Sequence, residues 1–152
     1  MWSKYIPYPP RVTIDRNVPG ISPKQTAFLL LSEREALYGG AAGGGKSEAL
    51  LIGALQGIDD FPKSSLLLRK TFRDLDKPGS LMFRARQWLL GTDAHWDGVN
   101  HRWSFPSGAT LQFGFIAAEG DEMNFQSSEY HYIGFDELTH FPEHHYTYLY
   151  SR

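Results

Sequence analysis

The sequence predicts an α/β fold with a mainly parallel sheet, and three observations carry that expectation. A continuous apolar run at 64–69 has the pattern of a strand covered on both faces, and 130–135 reads as a second apolar strand. Segments of helical composition alternate with them along the chain, as crossover connections require. A glycine cluster at 39–45 separates a short strand pattern from a helix pattern.

The elements follow in order. Pro7, Pro9 and Pro10 mark residues 1–21 as an extended N-terminal arm. Ser22-Pro23-Lys24-Gln25 has the signature of a helix start, with Ser as N-cap, Pro at the first helical position and Gln at the third. A short helix over 23–32 is expected there. Glu35-Ala36-Leu37-Tyr38 reads as a strand that runs into the glycine cluster. Strong helix formers from Lys46 then continue to about Gln56, where Gly57 supplies a stop. The strand at 64–69 comes next, bounded by Pro62 and by charges. After Pro78 a helix over 79–90 places Leu81, Met82, Ala85, Trp88 and Leu89 on one side. Residues 101–105 and 109–115 flank Pro106-Ser107-Gly108, the pattern of a β-hairpin. The strand at 130–135 ends at Asp136-Glu137, and another helix is expected to begin near Pro142.

Composition narrows the function classes. Hydrophobic residues make up 41% of the chain and aromatic residues 14%, enough for a core. With 15 Lys and Arg against 17 Asp and Glu, the net charge of -2 does not describe a uniformly basic nucleic-acid binder. The absence of cysteine excludes disulfide scaffolds, thiolate metal sites and cysteine nucleophiles. No apolar run approaches the roughly 18 residues of a membrane span, so a soluble intracellular chain without membrane partners is expected.

Gly40-Ala41-Ala42-Gly43-Gly44-Gly45-Lys46-Ser47 matches the P-loop pattern without a mismatch. Glycines let the backbone curl so that successive N–H groups face phosphate oxygens, and the following helix presents its positive end to the same charge. Lys46 then reaches the β- and γ-phosphates of ATP, and the Ser47 hydroxyl is placed to ligate Mg²⁺. Asp136 and Glu137 follow an apolar strand, at the end where ligands bind in open α/β sheets. Asp136 is expected to hold the metal, and Glu137 to polarise the attacking water. An Asp-Glu pair alone is as easily the acidic first turn of a helix; the upstream phosphate loop is what gives it a metal to serve. Together these motifs describe a P-loop NTPase of the ASCE type: a three-layer core with an inserted β-hairpin, incomplete at the C-terminus.

The set of residues resembles the ATPase domain of tailed-phage terminase large subunits. The resemblance rests on Ser22-Pro23-Lys24-Gln25, the stretch Leu37-Tyr38-Gly39 with the loop after it, and Leu68-Arg69-Lys70-Thr71-Phe72-Arg73-Asp74-Leu75. It continues through Phe105-Pro106-Ser107-Gly108-Ala109, Ile133-Gly134-Phe135-Asp136-Glu137 and Tyr150-Ser151-Arg152. It implies an ATP-driven translocase that packages double-stranded DNA into proheads in the host cytoplasm. Its implied partners are that DNA, a small terminase subunit, the portal ring and further copies of the motor itself. It also implies a C-terminal nuclease domain, expected to be absent here, with 22–152 forming a partial ATPase domain. Only 15 residues follow Glu137, so the strand that couples hydrolysis to motion is expected to be missing, leaving an exposed sheet edge and marginal stability. By its match to the adenine-recognition motif, Gln25 would contact adenine, although it equally serves the capping box.

The chain departs from the family where many members have an arginine in the P-loop; Ala42 stands there. The arginine that stabilises the transition state must then come from a neighbouring subunit or from elsewhere in the chain, with Arg69, Arg73 and Arg152 as candidates. A second departure is Ser127, where relatives commonly have Gly at or near this position. Arg69, Lys70, Arg73, Lys77, Arg84 and Arg86 form a basic run, read either as a DNA-phosphate contact or as a solvated helix face. His140, His144 and His145 include the helical spacing that clamps zinc, but without a completing Cys or an intervening Glu they read as surface or packing groups. Two other readings accompany the terminase: another P-loop motor such as a superfamily 2 helicase, which Asp136-Glu137-Leu138-Thr139 matches poorly, and a catalytically silent fragment.

Overall fold

The computed structural model of the chain describes residues 2–8, 29, 46–69, 80–116, 125 and 129–136. They form two helices and one five-stranded sheet: α1 (Lys46–Leu55), β1 (Ser64–Arg69), α2 (Leu81–Leu89), β2 (His95–Asp97), β3 (Arg102–Ser104), β4 (Thr110–Phe115) and β5 (Tyr132–Phe135), in the order β2-β3-β4-β1-β5. The expected strand at 35–38, the glycine loop and the helix near Pro142 lie outside the described residues. Of the helix expected over 23–32 only Leu29 is described; it is helical and packs against the core.

The sheet is mixed, which corrects the expectation of a mainly parallel one. β1 pairs in parallel with both β4 and β5, whereas β2–β3 and β3–β4 pair antiparallel. Connection length is the physical reason, because a short turn can join only antiparallel neighbours. At the β3–β4 turn the Gly108 N–H donates to Phe105 O at 2.9 Å, and the Phe105 N–H donates to Ala109 O at 3.0 Å. At the β2–β3 turn Asp97 Oδ1 accepts from the N–H groups of Val99 and Asn100 at 3.0 and 3.2 Å. The expected hairpin is therefore not an appendage. Its second arm is the long central strand β4, and β2, which the sequence did not announce, extends the same sheet.

β1 is buried on both faces, as its continuous apolar run requires. Leu67 joins a large cluster with Leu51, Ile52, Leu55 and Ile58 of the α1 region, Leu81, Ala85 and Leu89 of α2, and Leu111 and Phe113 of β4. Leu66 and Leu68 face the other way, packing with Ile116, Phe125, Ile133 and Phe135. Each fully buried leucine removes apolar area worth roughly 1.5–3 kcal/mol from water, which anchors β1 inside the sheet between β4 and β5. One helical layer, α1 with α2, covers the first face. α1 ends as its composition predicts, since Gly57 adopts φ +71°, the left-handed turn that glycine takes without a Cβ penalty.

Residues 2–8 of the segment read as an arm make a turn, in which the Ile6 N–H donates to Ser3 O at 3.2 Å. Tyr5 and Ile6 enter the large cluster, and the Tyr5 ring meets Phe105 edge-on at 4.9 Å. Tyr5 OH donates to Asp93 Oδ1 at 2.5 Å, while burial and this acceptor push the phenol above its ordinary range.

Candidate phosphate and metal site

The position of α1 along the sheet decides where its first residues lie, and four polar contacts set that position. Lys63, which precedes β1, donates from Nζ to the carbonyls of Gly53 and Gln56 at 2.8 and 2.7 Å. Ser65 Oγ donates to Ala54 O at 2.9 Å, and Tyr132 OH donates to Leu50 O at 3.2 Å. The last turn of a helix has carbonyls without intrahelical partners, and here Lys63 and Ser65 satisfy those of Gly53 and Ala54. The Lys63 ammonium also lies 5.1 Å from the centre of the Tyr132 ring. On its flank, Glu48 pairs with Arg84 of α2 at 2.8 Å.

With its C-terminal end pinned at the start of β1, α1 runs back along the sheet and delivers Ser47 to the opposite end. There Ser47 Oγ donates to Asp136, with Oδ1 and Oδ2 at 3.0 and 3.1 Å. The register brings the carboxylate to this point: Leu68 pairs with Phe135, and the Asp136 N–H donates to Leu68 O at 2.9 Å. Arg69 follows Leu68 as Asp136 follows Phe135, so the two side chains emerge at the same strand end. Arg69 Nε lies 3.1 Å from Asp136 Oδ2, with the side chains 17% and 5% exposed.

The structure thus brings together Ser47 and Asp136, predicted as metal ligands from segments 89 residues apart, and adds Arg69. Lys46 opens α1 and is half-buried. Gln25, Gly40, Ala41, Ala42, Gly43, Gly44, Gly45 and Glu137 lie outside the described residues, as do Arg73, Arg152, Ser127 and the histidines at 140, 144 and 145. Of the basic run, Arg84 is engaged with Glu48 and Arg86 is exposed on α2; Lys70, Arg73 and Lys77 are outside the described residues. Among the described residues no three His, Cys, Asp or Glu side chains gather into a metal cluster, and no helix is long and apolar enough to cross a membrane.

Sequence reasoning named Arg69 as a candidate source of transition-state charge and as part of the basic run, and did not foresee its contact with Asp136. A signal was available in the two apolar runs, because parallel strands that end level place the residues following them side by side. Lys63 and Tyr132 gave no such signal.

Chemically, the site offers one hydroxyl and one buried carboxylate as a pair of hard oxygen donors. A small divalent cation that keeps most of its waters, such as Mg²⁺, suits a set of this size and hardness. One protein-family model, described as the N-terminal part of the terminase large subunit, T4likevirus-type, matches residues 37–152. No curated protein and no solved structure matches the chain.

Proposed function

The chain belongs to the terminase large subunit family of the T4likevirus type, in its N-terminal part, and from that membership we propose that it binds and hydrolyses ATP with Mg²⁺ to drive packaging of double-stranded DNA. The observation that carries the proposal is the Ser47 hydroxyl lying 3.0 and 3.1 Å from the two oxygens of Asp136. A phosphate-loop serine and a strand-end aspartate have a shared reason to meet if both hold one cation.

On this reading, Ser47 and Asp136 hold Mg²⁺, which when bound neutralises charge on the β- and γ-phosphate oxygens. The backbone N–H groups of residues 40–45 cradle the phosphates, and Lys46 lays its ammonium against them. Gln25 recognises adenine. Glu137 orients the attacking water and takes its proton as the water oxygen bonds to the γ-phosphorus and the bond from that phosphorus to the β–γ bridging oxygen breaks, releasing ADP. Phage terminase membership further supports double-stranded DNA, a small terminase subunit, a portal ring and other copies of the chain as partners.

The test measures Mg²⁺-dependent ATP binding and turnover of the chain beside Asp136→Asn and Glu137→Gln. We expect Glu137→Gln to bind ATP while turnover falls on the order of 100-fold or more. Asp136→Asn should lose the Mg²⁺ enhancement of binding. Turnover that neither substitution alters would overturn the proposal, and wild-type protein that binds no nucleotide would favour a silent module.

A further inference from the structure

We propose that Arg69 is a positioning residue that holds Asp136 in the cation-free site and yields its carboxylate to the incoming cation. Metal entry and release of the guanidinium are then a single exchange. The inference rests on the reading of Ser47 and Asp136 as the cation's ligands and adds a residue that reading does not use.

The geometry sets up a competition for one carboxylate, since both its oxygens face Ser47 Oγ, Oδ1 at 3.0 Å, and Oδ2 also meets Arg69. Asp136 Oδ2 is 3.1 Å from Arg69 Nε and 3.1 Å from Ser47 Oγ. A divalent cation bound at that oxygen would lie close to a guanidinium already touching it, and like charges at such separation repel strongly in a poorly solvated crevice. A cation at either oxygen therefore loosens the hold of Arg69 on the carboxylate.

Burial explains why the placeholder is needed. The Asp136 side chain is 5% exposed. A charge so buried is costly to leave without an opposite charge beside it, and Arg69 supplies one. Arg69 holds it aimed at Ser47 before any metal arrives. Paired strand ends supply the aim, since the backbone of each residue is fixed by the β1–β5 register. The same pairing reduces apparent cation affinity, because only the fraction of molecules with the pair open is competent to bind.

The experiment titrates Mn²⁺ into the chain in the presence of ADP, follows free Mn²⁺ by electron paramagnetic resonance, and compares wild type with Arg69→Gln, Arg69→Lys and Asp136→Asn. Arg69→Gln removes the competing charge, and we expect it to tighten Mn²⁺ by about 5- to 10-fold. Arg69→Lys keeps the charge without the guanidinium geometry and should fall between the two. Melting in EDTA without nucleotide should show Arg69→Gln below wild type, with Mn²⁺ and ADP restoring more of its stability. Should Arg69→Gln fail to fold, Arg69→Lys carries the test. Affinity equal to or weaker than wild type in the folded Arg69 variants overturns the exchange. If Asp136→Asn binds Mn²⁺ as wild type does, or wild type shows no saturable binding, the ligand assignment itself fails and the exchange with it.

Discussion

Asp136 and Lys63 are the two charged side chains buried among the described residues, and they sit at opposite ends of α1. At the N-terminal end Asp136 meets Ser47 and Arg69, two side chains that rotate and can exchange partners. At the C-terminal end Lys63 meets the carbonyls of Gly53 and Gln56, which belong to the fixed backbone. Both charges are buried for a reason, but only one can change its partners without unfolding the helix. The difference separates a site from a staple: buried charge on movable partners stores a ligand's place, whereas buried charge on backbone holds the element that carries the site.

The largest effect should come from breaking the staple. Lys63→Ala removes both donors from the end of α1 and opens space beneath it. We expect a loss of about 2–4 kcal/mol in chemical denaturation, from unsatisfied carbonyls and lost side-chain packing. Ser65→Ala, which loses one bond to Ala54, should cost about 1 kcal/mol by the same measurement. A Lys63→Ala variant as stable as wild type would mean that α1 is held without the Lys63 bonds.

A pH titration sharpens the comparison from the other side. Burial pushes Lys63 down from its ordinary 10.5 to about 8. The folded chain therefore releases this proton from about pH 8 upward while the unfolded chain keeps it to about 10.5. Unfolding takes up a proton in that window, so the contribution of Lys63 to stability rises with pH. Burial also raises the Tyr132 phenol, so above about pH 10 the unfolded state ionises this group first and stability falls again. Denaturation midpoints should climb between pH 8 and 10, by no more than about 2 kcal/mol, and then turn over. A profile unchanged in Lys63→Ala would assign the slope to another group.

These two ends were unequally legible in the sequence. Ser47 and Asp136 were named in advance because the glycine loop and the strand-end acid are tied to one chemistry at recognisable positions. The strand at 64–69 was legible because a leucine run with no polar alternation demands cover on both faces, and that at 130–135, observed over Tyr132–Phe135, as a second apolar run ending in acids. Lys63 was invisible, since a lysine after a proline at a loop end is ordinarily solvated and only the tertiary approach of α1 buries it. β2 was equally invisible: His95, Trp96 and Asp97 are too few and too exposed to show a period, and their place in the sheet comes from pairing with Arg102, Trp103 and Ser104. The mixed direction of the sheet followed from that omission, because a hairpin read as an insertion gave no reason to count its strands in the main layer.

The smallest stability effect should be at the site, and it is the most informative. Ser47→Ala removes a hydroxyl that lies against both Asp136 oxygens, yet the carboxylate keeps Arg69 at 3.1 Å. One neutral donor lost from a charge that retains an ionic partner should cost about 1 kcal/mol or less in denaturation without metal. Lys63→Ala has no second partner to fall back on, so the two variants should differ by a factor of two or more in their cost. Adding Mg²⁺ and ADP should then reverse their order of harm. Lys63→Ala, once folded, retains the ligands and should gain stability from the additions, whereas Ser47→Ala should gain little. A Ser47→Ala protein stabilised by Mg²⁺ and ADP as fully as wild type would show that the hydroxyl serves the fold and not the cation, and would make both ends of α1 staples.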